Sequence, residues 1–468
     1  MPVLNSAGVT FEVTVPVVIV GAGACGCVAA LAVQGRGVEV LVLERDAYPR
    51  GNTALSGGQI LAGGTRLQAA SGIDDSGAIL AEDILRKSKG QCDERLARHI
   101  ARESARTVDW LVEKHGLPLS CISSFLYAGF SRPHMHATPT RSGAELLDEI
   151  LQAVDRAGID IVTSARVVDL YADKNGRIHG VGYLRPDGTR ETVGCGALIL
   201  ACNGFGGNKG LLQKYMPQIA DAHYHGHVGN QGDALVWGEA LGASLKDLGA
   251  FQGHGSLCTP HMIHLGWAVF GDGGFQVNAS GRRFSNETEG YSEQALKILR
   301  QPGGVSWAIW DKRCDDIATE IDNHRQARAA GAIRDCASAA EIAAVIGCDA
   351  AVIQETLDDV AAITIGKKRC PWGRQFANFP PLKPPYHCAK LTGALFHTQG
   401  GLEVDTAARV LRPDGSQFPN LFAGGGAARG LSGPADWGYL SGSGLLMATN
   451  LGRLAGEAAA ELVGGANT

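Results

Sequence analysis

Gly21, Gly23 and Gly26 stand in a G-x-G-x-x-G pattern, and the carboxylate of Glu44 follows about 20 residues on. Residues of these types at this spacing hold a dinucleotide. Gly21 permits a tight turn, Gly23 lets backbone, with Ala24 beside it, approach a pyrophosphate, and Gly26 lets a helix pack against a strand. Glu44, followed by Arg45, is placed to accept a hydrogen bond from a ribose hydroxyl. His134-Met135-His136 invites a metal reading, yet the nearby carboxylates offer no ligand spacing, and the stretch reads as a loop near an active site. Tyr127, just ahead of it, is a candidate active-site phenol. Twelve cysteines are scattered without a C-x-x-C or a C-x-x-C-H, which argues against a zinc ribbon and attached haem. No metal is expected, and the thiols read as reduced and mostly buried.

These residues need a frame of strand, turn, helix and strand. Val17-Val18-Ile19-Val20 reads as a buried β-branched strand, Cys27 to Val33 as an apolar helical run, and Val38 to Leu43 as a second strand ending at Glu44. The helix N-terminus would face phosphates with its free N–H groups. A second block of small residues follows: Asn52, Thr53, Ser56, Gly57 and Gly58, then Ala62-Gly63-Gly64-Thr65. A nicotinamide cofactor gives no reason for it. A flavin does, because pyrophosphate and isoalloxazine need close backbone on several sides, so the expected cofactor is FAD. Further on, residues 80–116 read as helices, and Arg141-Ser142-Gly143 opens another through Val154. Ile159 to Val162, Ala165 to Leu170 and Gly196 to Ala201 read as strands, with a hairpin around Lys174-Asn175-Gly176. From about Gly242 the glycine clusters give way to mixed-polarity helical sequence, with 311–365 as its helical scaffold, and Pro380 to Tyr386 reads as a stiff linker.

The chain has 468 residues, a hydrophobic fraction of 45%, a charged fraction of 19% and a net charge of −5. That is room for two or three domains. The negative balance without a long basic run argues against nucleic-acid binding. No stretch reaches the ~18 apolar residues of a membrane span. The first 16 residues hold no Lys or Arg and no sustained apolar run, so a signal peptide is not expected and the expected location is the cytoplasm.

From the second small-residue block onward, the motifs resemble the flavoprotein family of fumarate reductases, succinate dehydrogenases and 3-ketosteroid dehydrogenases. Ala201-Cys202-Asn203-Gly204 to Asn208 is similar to the family's second glycine turn beside FAD, and Gly229 to Asp233 to its T-G-D-G stretch. His397-Thr398-Gln399-Gly400-Gly401-Leu402 resembles H-T-x-G-G-L, and Asn420 to Gly426, with Gly425, resembles the strand that ends under the flavin. Gly442, Ser443, Leu445 and Leu446 begin the last helix, whose N-terminus in the family points at the N1–C2=O edge of the flavin. The resemblance also implies that the strand at Val167 clasps the adenine. It implies a Rossmann-type α/β FAD-binding domain of residues 1–241 and 373–468 with an inserted α+β capping domain at 242–372, mobile and closing over the site. Asn52 or Thr53 stands where succinate dehydrogenases carry the His that attaches FAD, so the resemblance implies non-covalent FAD.

The same resemblance singles out four side chains. Fumarate reductases use two His and one Arg to hold carboxylates and a second Arg as proton donor. Gln252-Gly253-His254 resembles Q-x-H-P-T without its Pro, so His254 is retained, and His397 is the second retained His. Counting on from Arg283-Phe284-Ser285-Asn286-Glu287, a match to R-F-x-N-E, places Tyr291 at the acid Arg, and Tyr439 stands at the other Arg. A phenol is neither cationic nor bidentate, which argues against a dicarboxylate. The double exchange resembles the 3-ketosteroid dehydrogenases, although Tyr439-Leu440-Ser441-Gly442 departs from their Y-P-G-x-G. The implied reaction introduces a C=C beside a carbonyl of a cyclic ketone or keto acid, 3-oxosteroid-like or 4-oxocyclohexanecarboxylate-like. Tyr291 would take the α-proton, Tyr439 with the Gly442 or Gly444 N–H would polarise the ketone, and the β-hydride would pass to flavin N5. His254 and His397 would either hold a substrate carboxylate or hydrogen-bond flavin or backbone, His397 being counted among the cofactor-binding residues as well. The alternative is fumarate reductase-like reduction of an activated C=C. A non-catalytic flavoprotein is disfavoured by the acid–base residues. With no haem or iron–sulfur ligand set apparent, electrons would leave to oxygen, a quinone or a redox protein.

Overall fold

The computed structural model describes residues 2–124, 126–376 and 379–465. The chain forms two compact units, one of Met1–Pro217, Gly226–Phe251 and His397–Thr468, the other of Gln218–His225 and Gln252–Phe396.

The first unit grows from the strand Thr14–Val20. Val17, Val18 and Ile19 are wholly buried, as a β-branched run must be when both faces of a parallel sheet are covered. Val40–Leu43 and Arg190–Leu200 flank it in parallel. Asp160–Val162 continues the sheet beyond Val40–Leu43, and Gln417–Ala423 pairs in parallel with Arg190–Leu200. Ile178–Leu184 runs antiparallel between Arg190–Leu200 and Arg166–Ala172, and Val3–Asn5 closes that edge in parallel with Arg166–Ala172. The helix Ala24–Gln34 leaves the first strand through the glycine turn and is buried from Ala24 to Val33. The last helix, Ser443–Gly464, packs closely on it: a Cβ on Gly452 would stand 2.5 Å from the Cys25 carbonyl oxygen. The helical reading of 80–116 resolves into Gly77–Lys87 and Glu94–His115, each opened by a side-chain cap, Ser76 and Asp93.

The second unit is mixed. Its sheet has the order Ile263–His264, Phe251–Cys258, Tyr386–Thr398, Val305–Asp311, Phe275–Val277, and His223–Tyr224 and Ile333–Cys336 also pair with Tyr386–Thr398. Alternation along Val305–Asp311 builds two cores. Trp307 and Ile309 join the one with Ile342, Ile346 and Ile353, and Ala308 and Trp310 join the one with Cys314, Ala318 and Ala327. The 311–365 scaffold therefore holds the helices Lys312–Ala318, Asp322–Ala329, Ala339–Ile346 and Ala350–Thr364, interrupted by the strand Ile333–Cys336.

Candidate active site

The glycine turn has the geometry its residues predict. Gly21 takes φ +103°, and a Cβ there would stand 2.7 Å from the Ala201 carbonyl oxygen. The buried Glu44 carboxylate accepts the Ala22 N–H at 2.8 Å and the Asp46 N–H at 2.9 Å, and burial raises its pKa. Each oxygen keeps a lone pair for a ribose hydroxyl. The Ala24 N–H donates to Thr53 Oγ1 at 3.1 Å. The helix Ala24–Gln34 starts at Gly23 and Ser443–Gly464 at Gly442, and neither has a side-chain cap, whereas Ser76, Asp93 and Ser142 cap theirs. Uncapped helix starts beside backbone-open glycines suit a pyrophosphate and an electron-rich ring edge, so the residues present fit FAD.

Other expected cofactor residues brace one another. Arg45 Nη1 donates to the Gly229 carbonyl at 2.6 Å. Asn52 Oδ1 accepts the His227 N–H at 2.7 Å and Asn230 Nδ2 at 2.9 Å. Asn208 caps the helix Lys209–Tyr215 and donates to the Gln231 carbonyl at 3.0 Å. All three therefore hold the segment leading into Asp233, whose pKa burial raises.

In the first unit, His397 and Tyr439 lie together at the start of the last helix. His397 Nδ1 donates to the Thr398 carbonyl at 2.9 Å, which leaves Nε2 the unprotonated nitrogen of a neutral ring. Burial lowers its pKa. Tyr439 meets it edge-on, with centroids 5.9 Å apart and planes at 87°. A Cβ on Gly444 would stand 2.7 Å from His397 Nε2, so a glycine is required for this approach. Gln399 Nε2 lies 2.9 Å from both ring nitrogens, and Ser432 Oγ donates to Gln399 Oε1 at 3.1 Å.

In the second unit, His254 and Tyr291 stack face to face, with centroids 4.3 Å apart and planes 10° from parallel. Trp267 stands edge-on to both, at 5.7 and 5.9 Å, and Phe396 covers His254 at 4.8 Å. Gly290, at φ +145°, turns the chain into the helix Tyr291–Leu299. That helix is tied to the strand of His254: the Gly253 N–H donates to Ser292 Oγ at 2.9 Å, and Gln294 joins Gln276, which donates to the Gly255 carbonyl at 2.8 Å. The Arg283-Phe284-Ser285-Asn286-Glu287 motif is the anchor ahead of it. Glu287, wholly buried, accepts from Arg283 at 2.7 Å, Arg374 at 2.8 Å and the Gln276 N–H at 2.9 Å. Against the cost of burial, Arg374 and Arg283 hold its pKa down to about 2.

Sequence reasoning missed His264, Ser256 and Asn323 around His254, and Gln399 and Ser432 around His397. Gln399 was findable as the variable residue of the H-T-x-G-G-L stretch. His264 carries no motif; it arrives through the antiparallel pairing of Ile263–His264 with Phe251–Cys258.

One reading changes. Met135–Ala137 is not loop but the middle strand between Ile60–Leu61 and Ser120–Cys121. His134 bridges two buried carboxylates, Asp75 at 2.7 Å and Asp83 at 3.0 Å, while His136 bonds Thr65 Oγ1 at 2.8 Å, so both imidazoles hold the fold together. Tyr127 packs on Phe130 with ring centroids 5.7 Å apart, and burial raises its pKa. Among the described residues no three His, Cys, Asp or Glu side chains group as metal ligands, and no helix is long and apolar enough to cross a membrane.

Residues 16–444 match the family described as FAD binding domain, and the chain belongs to that family. It is an FAD-dependent oxidoreductase. A probable fumarate reductase of Shewanella frigidimarina is 28% identical over 448 residues, 96% of this chain and 75% of its own. A urocanate reductase of Eggerthella lenta is 27% identical, covering 88% of this chain and 69% of its own. The open conformation of a flavocytochrome c3 fumarate reductase matches with a TM-score of 0.82 and 27% identity, over 98% of this chain and 80% of that one. A 3-ketosteroid-Δ4-(5α)-dehydrogenase of Rhodococcus jostii matches with a TM-score of 0.77 over 98% of this chain and 99% of its own; at 23% identity this is a likeness of fold.

Proposed function

We propose that the protein desaturates a cyclic ketone or keto acid, removing two hydrogens from the CH–CH bond beside the carbonyl. The observation that carries the reading is that both site clusters pair a phenol with a neutral imidazole: Tyr291 with His254, Tyr439 with His397. The nearby guanidiniums of Arg283 and Arg374 are committed to Glu287. Neutral donors suit a ketone, whereas a dicarboxylate calls for cations.

The Tyr439 hydroxyl donates to the ketone oxygen, together with the Gly442 or Gly444 N–H at the start of the last helix, and stabilises the enolate charge as it develops. Tyr291 takes the α-proton as general base. Bound FAD supplies the acceptor for the β-hydride, so the substrate loses one proton to protein and one hydride to cofactor. Gly21, Gly23, Glu44 and Thr53 would hold that cofactor, non-covalently. The names of the sequence relatives favour a second reading, reduction of an activated C=C with Tyr291 as the acid. Anaerobic mixing separates the two. Bleaching of oxidised flavin by saturated cyclic ketones or keto acids supports desaturation. Re-oxidation of reduced flavin by enoates or dicarboxylates, with no bleaching by any ketone, overturns it.

A further inference from the structure

His254 stands in an unbroken line of hydrogen bonds whose direction can be worked out. At one end Ser256 Oγ lies 2.8 Å from the Leu265 carbonyl and 3.0 Å from His254 Nδ1. A carbonyl only accepts, so the single hydroxyl proton points to Leu265, and Ser256 Oγ must accept from His254 Nδ1–H. In a neutral ring His254 Nε2 is then an acceptor. His264 Nε2, 2.9 Å away, must donate to it, and His264 Nδ1 becomes an acceptor in turn. At the far end Asn323 Nδ2, 3.3 Å from His264 Nδ1, is a donor, as the line requires. Both ends dictate the same assignment, Asn323 to His264 to His254 to Ser256 to Leu265. Two imidazoles placed Nε2 to Nε2 demand opposite tautomers, and a proton on both facing nitrogens would place two donors head to head. Burial acts in the same sense by lowering the pKa of both rings, His264 to about 3.

Both nitrogens of His254 are thus engaged within its own unit, and what the ring has left to offer is a face. Tyr291 lies on one face and Phe396 also stacks against the ring. We infer that His264 is a positioning residue, which with Asn323 and Ser256 locks His254 as a neutral, Nδ1-protonated ring that serves as the platform for the Tyr291 phenol rather than as a clamp for a substrate carboxylate. This rests on the proposed desaturation only for the part Tyr291 plays in it. The tautomer assignment stands independently of any substrate.

The test has two arms on the FAD-loaded enzyme. In the first, imidazole nitrogen chemical shifts are read by NMR after histidine-selective labelling near neutral pH, with His254→Gln and His264→Gln used for assignment. The expected result is a proton on Nδ1 of His254 and on Nε2 of His264. A doubly protonated His254, or one protonated on Nε2, overturns the inference whether or not any ketone is a substrate. In the second arm, Gln in place of His264 can still donate to His254 Nε2, while Phe cannot. His264→Phe should lower kcat about tenfold with little change in KM, and His264→Gln should recover most of it. Equal loss in both variants, or a loss confined to KM for a keto acid and absent for its ester, overturns the inference. The expected tautomers in an enzyme whose flavin no ketone bleaches would leave the positioning assignment standing and remove the desaturase reading alone.

Discussion

Tyr291→Phe is the sharpest probe of the proposed chemistry because it removes one oxygen and almost nothing else. The ring stacked 4.3 Å over His254 and edge-on to Trp267 at 5.9 Å remains, as does the helix turn set by Gly290. The tie from the Gly253 N–H to Ser292 Oγ and the Glu287 anchor involve other side chains. FAD content and melting temperature should therefore match the wild type. What disappears is the group proposed to take the α-proton, a term of about 10²–10⁴ in rate, or about 3–5 kcal/mol on the barrier. The assay is anaerobic stopped-flow bleaching of the flavin with a saturated ketone the wild type oxidises, comparing substrate with its α-deuterated form. A variant that bleaches at the wild-type rate refutes Tyr291 as the base, whatever its effect on binding.

Three further outcomes are expected. Gly444→Ala places a Cβ 2.7 Å from His397 Nε2, so it should displace the ring from Tyr439 and cut turnover at least tenfold, by about the value of one buried hydrogen bond; unchanged turnover would show that this approach is idle. Acid precipitation should release FAD into the supernatant, and Glu44→Ala should weaken its retention on dilution; flavin that stays with the pellet refutes non-covalent binding. His134, whose pKa burial would lower but whose bonds to Asp75 and Asp83 hold it raised, contributes stability that is full below about 6.5 and is lost as pH climbs through that raised value. His134→Gln should therefore destabilise by about 3 kcal/mol near neutrality, with a melting-temperature gap from wild type that narrows at alkaline pH, and a gap that widens there would contradict the assignment.

Local patterns in the sequence reported the frame well. The strand Thr14–Val20, the turn at Gly21 and the helix Ala24–Gln34 are consecutive in the chain, so their spacing carries the information directly. Glu44 was legible for the same reason, since strand length sets where the chain emerges beside the turn. Met135–Ala137 was misread as loop because a three-residue strand leaves no period to detect, and the partners of His134 and His136, Asp75, Asp83 and Thr65, lie 51 to 71 residues away. The 311–365 scaffold hid Ile333–Cys336 because a short strand buried at both ends and exposed between resembles a helix turn in composition. His264 was illegible because its meeting with His254 depends on strand register, which no motif spells out.

The Arg283 to Glu287 motif shows what such matches encode. Its charged residues face inward: Glu287 binds Arg283, Arg374 and the Gln276 N–H, and thereby fixes where the next helix starts. The first residue of that helix, Tyr291, lies outside the anchor. A change of side chain at 291 therefore leaves the buried charges satisfied. Scaffold and side chain are separable at this point, so a match to the motif reports the buried anchor and leaves the identity of the residue at 291 open to vary.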